Sequence, residues 1–378
     1  MAKTAALVSG VATLRPGRGS RRPPPGNGRL ILHVGTHKTG TTSIQEALLA
    51  HSRELADQGV VYPNAAWSFG GDPRRSTRAA HFAFAEALAD PSDRSLPRLE
   101  AFRDRLARAL AASKTVVVSA ESMYRHILVT TKGRLSEDDK RAMRASYVRR
   151  MAEFFDGFDP EVIVYFRRPD AFAESLYQEA AARAMVSHPF QRFVTQDAFR
   201  FDYAFQLELL RRHFPVHAFG FEAAAQDDLV DHFMAVLGAR VDCGLGKTTL
   251  RASVPKRAAQ WLVRHSKGAR ATHASRRSHR HRWLFALQAG HKELFAAPRG
   301  AGFWSSNEER DAFLSRSLAG FDAVDFPPAA SVIRLPAWSR EDDQRVEAAF
   351  ESWELRNRAQ LLKRELGRIP PYISPELG

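Results

Sequence analysis

The chain has 378 residues, with 56 lysines and arginines against 42 aspartates and glutamates, a formal net charge of +14. Hydrophobic residues at 44%, including 25 Phe, 7 Tyr and 6 Trp, are ample for a globular core. The single cysteine, Cys243, excludes an intramolecular disulfide framework and fits a reducing, cytoplasmic setting, and no apolar run reaches the length of a membrane span.

Residues 1–28 read as a disordered basic arm: residues 1–29 carry six basic side chains, no acidic one and a Pro-Pro-Pro-Gly run. An organelle-targeting presequence shares that composition and stays open. Residues 29–378 are expected to form the folded part, with an α/β core over 29–240 and a basic loop region plus C-terminal helices over 241–378. Arg29 to Val34 reads as a short buried strand, and Ser43 to Gln58 has helical spacing at Ile44, Ala47, Leu48 and Leu55. Between them runs Gly35-Thr36-His37-Lys38-Thr39-Gly40-Thr41-Thr42. It keeps the glycine spacing of the nucleotide loop G-x-x-x-x-G-K-[ST], but Thr41 stands where that loop has its lysine. The lysine, Lys38, projects from inside the loop. A strand, a Gly/Thr turn and a helix start gather backbone N–H groups and a positive dipole end around one point, which suits an anion. Thr36, His37, Lys38, Thr39, Gly40, Thr41, Thr42 and Ser43 are therefore candidate binding residues.

Further along, Gly59 to Pro63 reads as a short strand, residues 64–78 as a Gly/Pro/Arg linker, and Ala79–Ala89 and Leu99–Ala112 as helices. Thr115 to Ser119 and Val162 to Phe166 are apolar runs typical of parallel strands covered on both faces. Pro169 suits the first turn of a helix that carries Ala171, Phe172 and Leu176 inward. Arg167 then stands at the carboxyl end of its strand, the edge where open α/β sheets bind ligands, and offers a charge-assisted contact to phosphate. Pairing of Arg167 with Glu161 or Glu174 is the alternative.

These two segments resemble the two signatures of the sulfotransferases that use 3′-phosphoadenosine 5′-phosphosulfate (PAPS). Lys38-Thr39-Gly40-Thr41-Thr42 is similar to their 5′-phosphosulfate loop, K-[ST]-G-T-[ST]. Arg167 and Ser175, with seven residues between them, match their strand-end arginine and helical serine for the 3′-phosphate. The resemblance covers roughly residues 30 to 240 and implies a three-layer α/β/α fold with a central parallel sheet, the P-loop NTPase-like sulfotransferase fold of bacterial type. It also implies PAPS as the sulfuryl donor, no metal, and an acceptor hydroxyl or amine on a glycan, lipid or small molecule, anionic ones included. The family's arginine-lysine-glycine string is absent; Ser266-Lys267-Gly268 and Leu250-Arg251-Ala252-Ser253 are loose candidates.

Val216 to Phe219 reads as a further strand and Asp228 to Leu237 as the next helix; strands alternating with helices imply a parallel sheet. Cys243 to Lys292 holds twelve lysines and arginines and no acidic residue. This block reads as a solvated loop, as a site for an anionic acceptor or the cofactor's 3′-phosphate, or as a nucleic-acid contact. Gly244 to Thr249 imitates a nucleotide loop, but Val241 sits where its first glycine belongs. His265, His273, His279, His281 and His291 have no cysteine or carboxylate nearby in sequence to close a metal set, and read as surface residues of the loop. Arg340 to Leu366 has Val346, Phe350 and Trp353 on one helical face, and its Asn357-Arg358 resembles an asparagine-arginine pair in the last helix of bacterial sulfotransferases.

Sulfuryl transfer resembles phosphoryl transfer in depending on positioning and charge stabilisation. A sulfuryl group carries one charge less than a terminal phosphoryl group, which is a physical reason for dispensing with a divalent metal. Lys38 is the candidate for stabilising the leaving oxygen. The acceptor needs a base, and Glu121, two residues past the 115–119 strand, is the first candidate, with His81 and His37 after it. A Glu121 that only caps a helix or pairs with a cation is the alternative. Two other functional classes stay open: an ATP-dependent small-molecule kinase, against which Thr41 argues, and a basic nucleic-acid-binding protein with a vestigial loop, although nucleic acid is not the expected partner. Peripheral contact with a membrane is compatible with the sequence, and the oligomeric state is not encoded in any motif.

Overall fold

In a computed structural model, residues 28–36, 38–63, 81–90, 92–129, 135–196, 198–241, 254–267, 272–288 and 293–365 are described. The basic arm up to residue 27, the 64–78 linker, His37, Cys243, the 244–249 string, residues 250–253, Gly268 and His291 lie outside them. In chain order the elements are β1 (Arg29–His33), α1 (Thr41–Ala50), α2 (Ser52–Asp57), β2 (Val60–Val61), α3 (Phe82–Ala89), α4 (Leu96–Ala112), β3 (Thr115–Ser119) and α5 (Ser122–Arg125). There follow α6 (Glu137–Phe154), β4 (Glu161–Phe166), α7 (Pro169–Ala182), α8 (Phe190–Gln196), α9 (Tyr203–Arg211), β5 (Val216–Gly220), α10 (Phe221–Asp227) and α11 (Leu229–Leu237). The rest is α12 (Lys256–Arg264), α13 (His273–Gln288), β6 (Ala301–Gly302), α14 (Asn307–Ser317), β7 (Ile333–Arg334) and α15 (Arg340–Glu365). Two compact units result: Met1–Phe172 with Gln196–Arg251 and Phe313–Ala329, and Ala173–Thr195 with Ala252–Ala312 and Ala330–Gly378.

The first unit is built on a parallel sheet in the order β2-β3-β1-β4-β5, flanked by helices. Its central strands are apolar along their middles because both faces are covered, with polar residues confined to their ends. On one face Ile31, Val117, Ile163 and Tyr165 pack with Ile44 and Leu48 of α1 and with Val230, Phe233 and Leu237 of α11. The pleat turns Leu30, Leu32, Val116, Val118, Val162 and Val164 to the other face, where they are equally buried. Aromatic packing of Phe84, Phe102, Phe154 and Phe155 knits α3, α4 and α6 together, with ring centroids 4.6 to 6.3 Å apart.

The helix expected over 43–58 is two helices, divided at His51, whose ring nitrogen lies 3.2 Å from the Glu54 carboxylate. Helix α6 has no counterpart in the sequence reading. Its capping box is visible, Ser136 and Asp139 bonding each other's backbone N–H, but two arginines interrupt its buried face. Arg144 is fully buried: its Nε donates to Gln206 at 2.9 Å and its Nη1 to the carbonyls of Met123 and His126 at 2.8 and 3.1 Å. Burial lowers its pKa to about 10, so the guanidinium stays charged while it holds the α5 turn.

The second unit corrects the reading of the basic block. Where residues 243–292 are described they form helices α12 and α13, not a solvated loop. The acidic partners come from far along the chain, on α15. Arg257 pairs with Asp342 at 2.7 Å, Arg282 with Glu347 at 2.8 Å, and His265 and His281 reach Asp343 and Glu354 at 3.2 and 2.5 Å. His279 and His281 are buried, not surface residues; His279 Nε2 meets the Ala181 carbonyl at 2.7 Å. Trp261 sits at the centre of this unit, with Phe285, Phe295 and Phe350 within 5.8 Å of its ring. The expected C-terminal helix is present as α15, with Val346, Phe350, Trp353 and Leu361 buried and the Asn357 amide on the Trp353 carbonyl. Among the described residues, no helix is long and apolar enough to cross a membrane.

Candidate functional site

The loop between β1 and α1 is shaped by contacts that only its own residue types permit. A Cβ on Gly35 would lie 2.2 Å from the Thr41 methyl, and one on Gly40 would lie 2.3 Å from Leu229. Gly40 also takes a left-handed backbone, φ 65, immediately before the first helical residue. The glycine spacing is thus a packing requirement, with Thr41 filling the hollow over Gly35. Thr39 donates its hydroxyl to the Thr36 carbonyl at 2.6 Å, and Thr36 donates to the Tyr165 carbonyl at 2.9 Å, which ties the loop to β4. Helix α1 has no side-chain cap at Gly40 and no acidic residue in its first turn. Its positive end is therefore left for an anion, beside the half-buried Thr42 and Ser43.

Lys38 is the unusual residue. It holds φ 68, a left-handed conformation that costs a non-glycine residue about 1–3 kcal/mol and is found at functional sites. Its carbonyl accepts a hydrogen bond from Arg167 Nη1 at 3.2 Å. The two sequence signatures, 129 residues apart, meet there. Arg167 lies at the end of β4, its guanidinium 5.6 Å from the Phe221 ring and its Nε 3.9 Å from Glu222, which also accepts from the Arg168 amide. The alternative partners are engaged elsewhere: Glu161 with Arg29 at 2.6 Å, and Glu174 with Lys256 at 2.5 Å. Ser175 is buried two turns into α7, in the stretch of that helix belonging to the second unit.

Glu121 follows β3 and is 8% exposed. It occupies the N-cap position of α5 without a side-chain capping bond, so the capping alternative does not describe it. Its Oε2 accepts from Gln45 Nε2 at 3.2 Å, and the same amide reaches Ser119 Oγ at 3.1 Å. Ser119 Oγ in turn lies 2.9 Å from His33 Nδ1. Tyr62 belongs to the same group: burial, then the Glu121 and Glu46 carboxylates, push its phenol up, against a hydrogen bond with Ser119. The sequence reading missed Gln45, Ser119, His33 and Tyr62. Polar residues at otherwise buried positions of β1, β3 and α1 were the available signal.

His81 is differently placed. It is buried, the Ser119 N–H donates to its Nδ1 at 3.1 Å, and its Nε2 donates to the Pro63 carbonyl at 2.8 Å. Both ring nitrogens are thereby committed to backbone, and burial lowers its pKa to about 4. Burial likewise holds His33 down to about 3, and His126 is lowered to about 4 by burial with Arg125 and Arg144 nearby.

These three rings give a pH dependence. Their folded pKa values lie below the ordinary histidine value, so the unfolded chain binds more protons than the folded one below about pH 6.5. Stability is then expected to be full above that pH and to fall as pH drops from 6.5 towards 4. Urea unfolding at pH 7.5 and 5.0 checks this, and equal midpoints would count against buried neutral rings.

No family model matches the chain, and no curated protein matches it. Among solved structures, the crystal structure of a sulfotransferase from Alicyclobacillus acidocaldarius aligns with 67% of this chain and 99% of its own, at 15% identity and a TM-score of 0.33.

Proposed function

We propose that the chain transfers a sulfuryl group from PAPS to a hydroxyl or amine of an acceptor such as a glycan, lipid or small molecule. The observation that carries the reading is the junction of Lys38 with Arg167, a lysine inside a glycine-framed loop whose carbonyl is held by a strand-end arginine. The donor fits the residues present. Its 5′-phosphosulfate suits the uncapped start of α1 with Thr42, Ser43 and the Lys38 ammonium, and its 3′-phosphate calls for a cation such as Arg167.

In the reaction the bond from sulfur to the bridging phosphate oxygen breaks as the acceptor oxygen or nitrogen bonds to sulfur. The electron pair of the broken bond stays on adenosine 3′,5′-bisphosphate, and Lys38 stabilises that charge. The acceptor's proton passes to the Glu121 carboxylate. Atoms and charge balance without a further reactant.

Calorimetry without added Mg²⁺ tests the donor assignment. Adenosine 3′,5′-bisphosphate is expected to bind about ten- to a hundredfold more tightly than AMP, the worth of one charge-assisted phosphate contact at about 1.5–3 kcal/mol. Arg167→Ala is expected to erase that preference. Equal affinity of the natural chain for both nucleotides would remove the donor assignment. Transfer of labelled sulfate from PAPS to pooled glycans, lipids and small alcohols then identifies the acceptor class.

A further inference from the structure

We infer that Gln45 is a positioning residue for Glu121: it holds the carboxylate and keeps it ionised, and it links that group to the helix that starts at the phosphate loop. The inference rests on the sulfotransferase reading for its catalytic meaning, but the link itself is a property of the fold.

Gln45 lies one turn beyond Thr41 on α1 and is 3% exposed. Its side-chain amide has two hydrogens and faces two acceptors, Ser119 Oγ at 3.1 Å and Glu121 Oε2 at 3.2 Å. An ionised carboxylate only accepts, so the NH₂ group, not the amide oxygen, must be the end turned towards Glu121. With Gln45 donating to it, Ser119 can pass its own proton to His33 Nδ1, since burial keeps that ring neutral. His33 Nε2, at the far side of the ring, has no hydrogen-bond partner among the described residues. The chain His33–Ser119–Gln45–Glu121 thus runs across β1, β3 and α1 behind the loop.

The chemistry of the partner matters. A hydrogen bond to the charged form of an acid favours that form, so a carboxylate that loses a donor takes up its proton at higher pH than before. A lysine at this position would hold the carboxylate ionised too strongly for it to accept a proton readily. A neutral amide keeps Glu121 ionised without that penalty.

The test combines a pH–rate profile with a direct titration. Gln45→Met keeps the volume and removes the donor, and Gln45→Glu puts a second carboxylate beside the first. In Gln45→Met the acid limb of kcat/KM is expected to move up by about half a pH unit or more, with a larger move in Gln45→Glu. Activity of Gln45→Met should approach that of the natural enzyme at high pH, while affinity for adenosine 3′,5′-bisphosphate stays within about twofold. Gln45→Asn, which keeps an amide, covers the case in which the other variants fail to fold, and is expected to recover part of the limb position. Carbon-13 NMR titration of the Glu121 carboxyl in natural chain and variants reads the same shift without any turnover. An unmoved carboxyl titration in a folded variant overturns the inference, as does a pH-independent loss of rate. If the titration moves but the natural chain transfers no sulfuryl group, the link stands and the functional reading fails.

Discussion

Glu121→Gln is expected to lower turnover by about two to four orders of magnitude, the usual worth of a general base. The substitution keeps shape and hydrogen-bonding reach and removes only the ability to take up the acceptor's proton. Affinity for adenosine 3′,5′-bisphosphate should change little, because Glu121 lies past β3 and the proposed donor contacts lie on the loop and on Arg167. The introduced amide also meets Gln45, whose NH₂ group now faces either an oxygen or another NH₂; thermal melting separates any loss of fold from loss of chemistry. His81 provides the control. Its two ring nitrogens are taken by Ser119 and Pro63, so His81→Asn is expected to lower the melting temperature and leave the pH–rate profile of the surviving enzyme in place. Near-normal turnover in Glu121→Gln together with loss in a folded His81→Asn would reverse the two assignments.

How far these roles could be seen in advance depended on chain distance. Strands β1, β3 and β4 were legible because each is a short, largely apolar run, and in a sheet covered on both faces nearly every side chain must be apolar. The loop was legible because its glycines and lysine are contiguous. Helix α6 was not, since its inward positions include Arg144 and Arg150, and helical periodicity counts arginine as outward. Helices α12 and α13 were hidden for a related reason. Arg257 and Arg282 pair with Asp342 and Glu347 of α15, and His265 and His281 face Asp343 and Glu354 there, all roughly 60 to 90 residues further along. A local window sees an uncompensated basic run, whereas the folded unit holds ion pairs. The same limit hid Gln45: nothing in S-I-Q-E-A-L-L says that one polar side chain points inward, and its partners Ser119 and Glu121 are supplied 74 and 76 residues later.

Lys38→Ala should leave the fold intact and cut turnover by about a hundredfold or more, the scale of losing one donor to a charge that develops in the transition state. Affinity for adenosine 3′,5′-bisphosphate should fall less than turnover, because a contact to the bridging oxygen is strongest once the bond to sulfur has begun to break. The backbone makes the prediction sharper. Lys38 sits at φ 68, where alanine is no better suited than lysine, so the substitution removes the ammonium without relieving the strain. The carbonyl that Arg167 holds belongs to the backbone and survives the change. Lys38→Gly differs in one respect: it removes the ammonium and the strain together. If the loop's shape were what limits the rate, the two variants would diverge. If the ammonium is what counts, both should show the same loss in turnover, with the glycine variant the more stable to heat. Unchanged turnover at saturating PAPS, with only affinity reduced, would mean that Lys38 binds the donor and takes no part in stabilising the leaving oxygen.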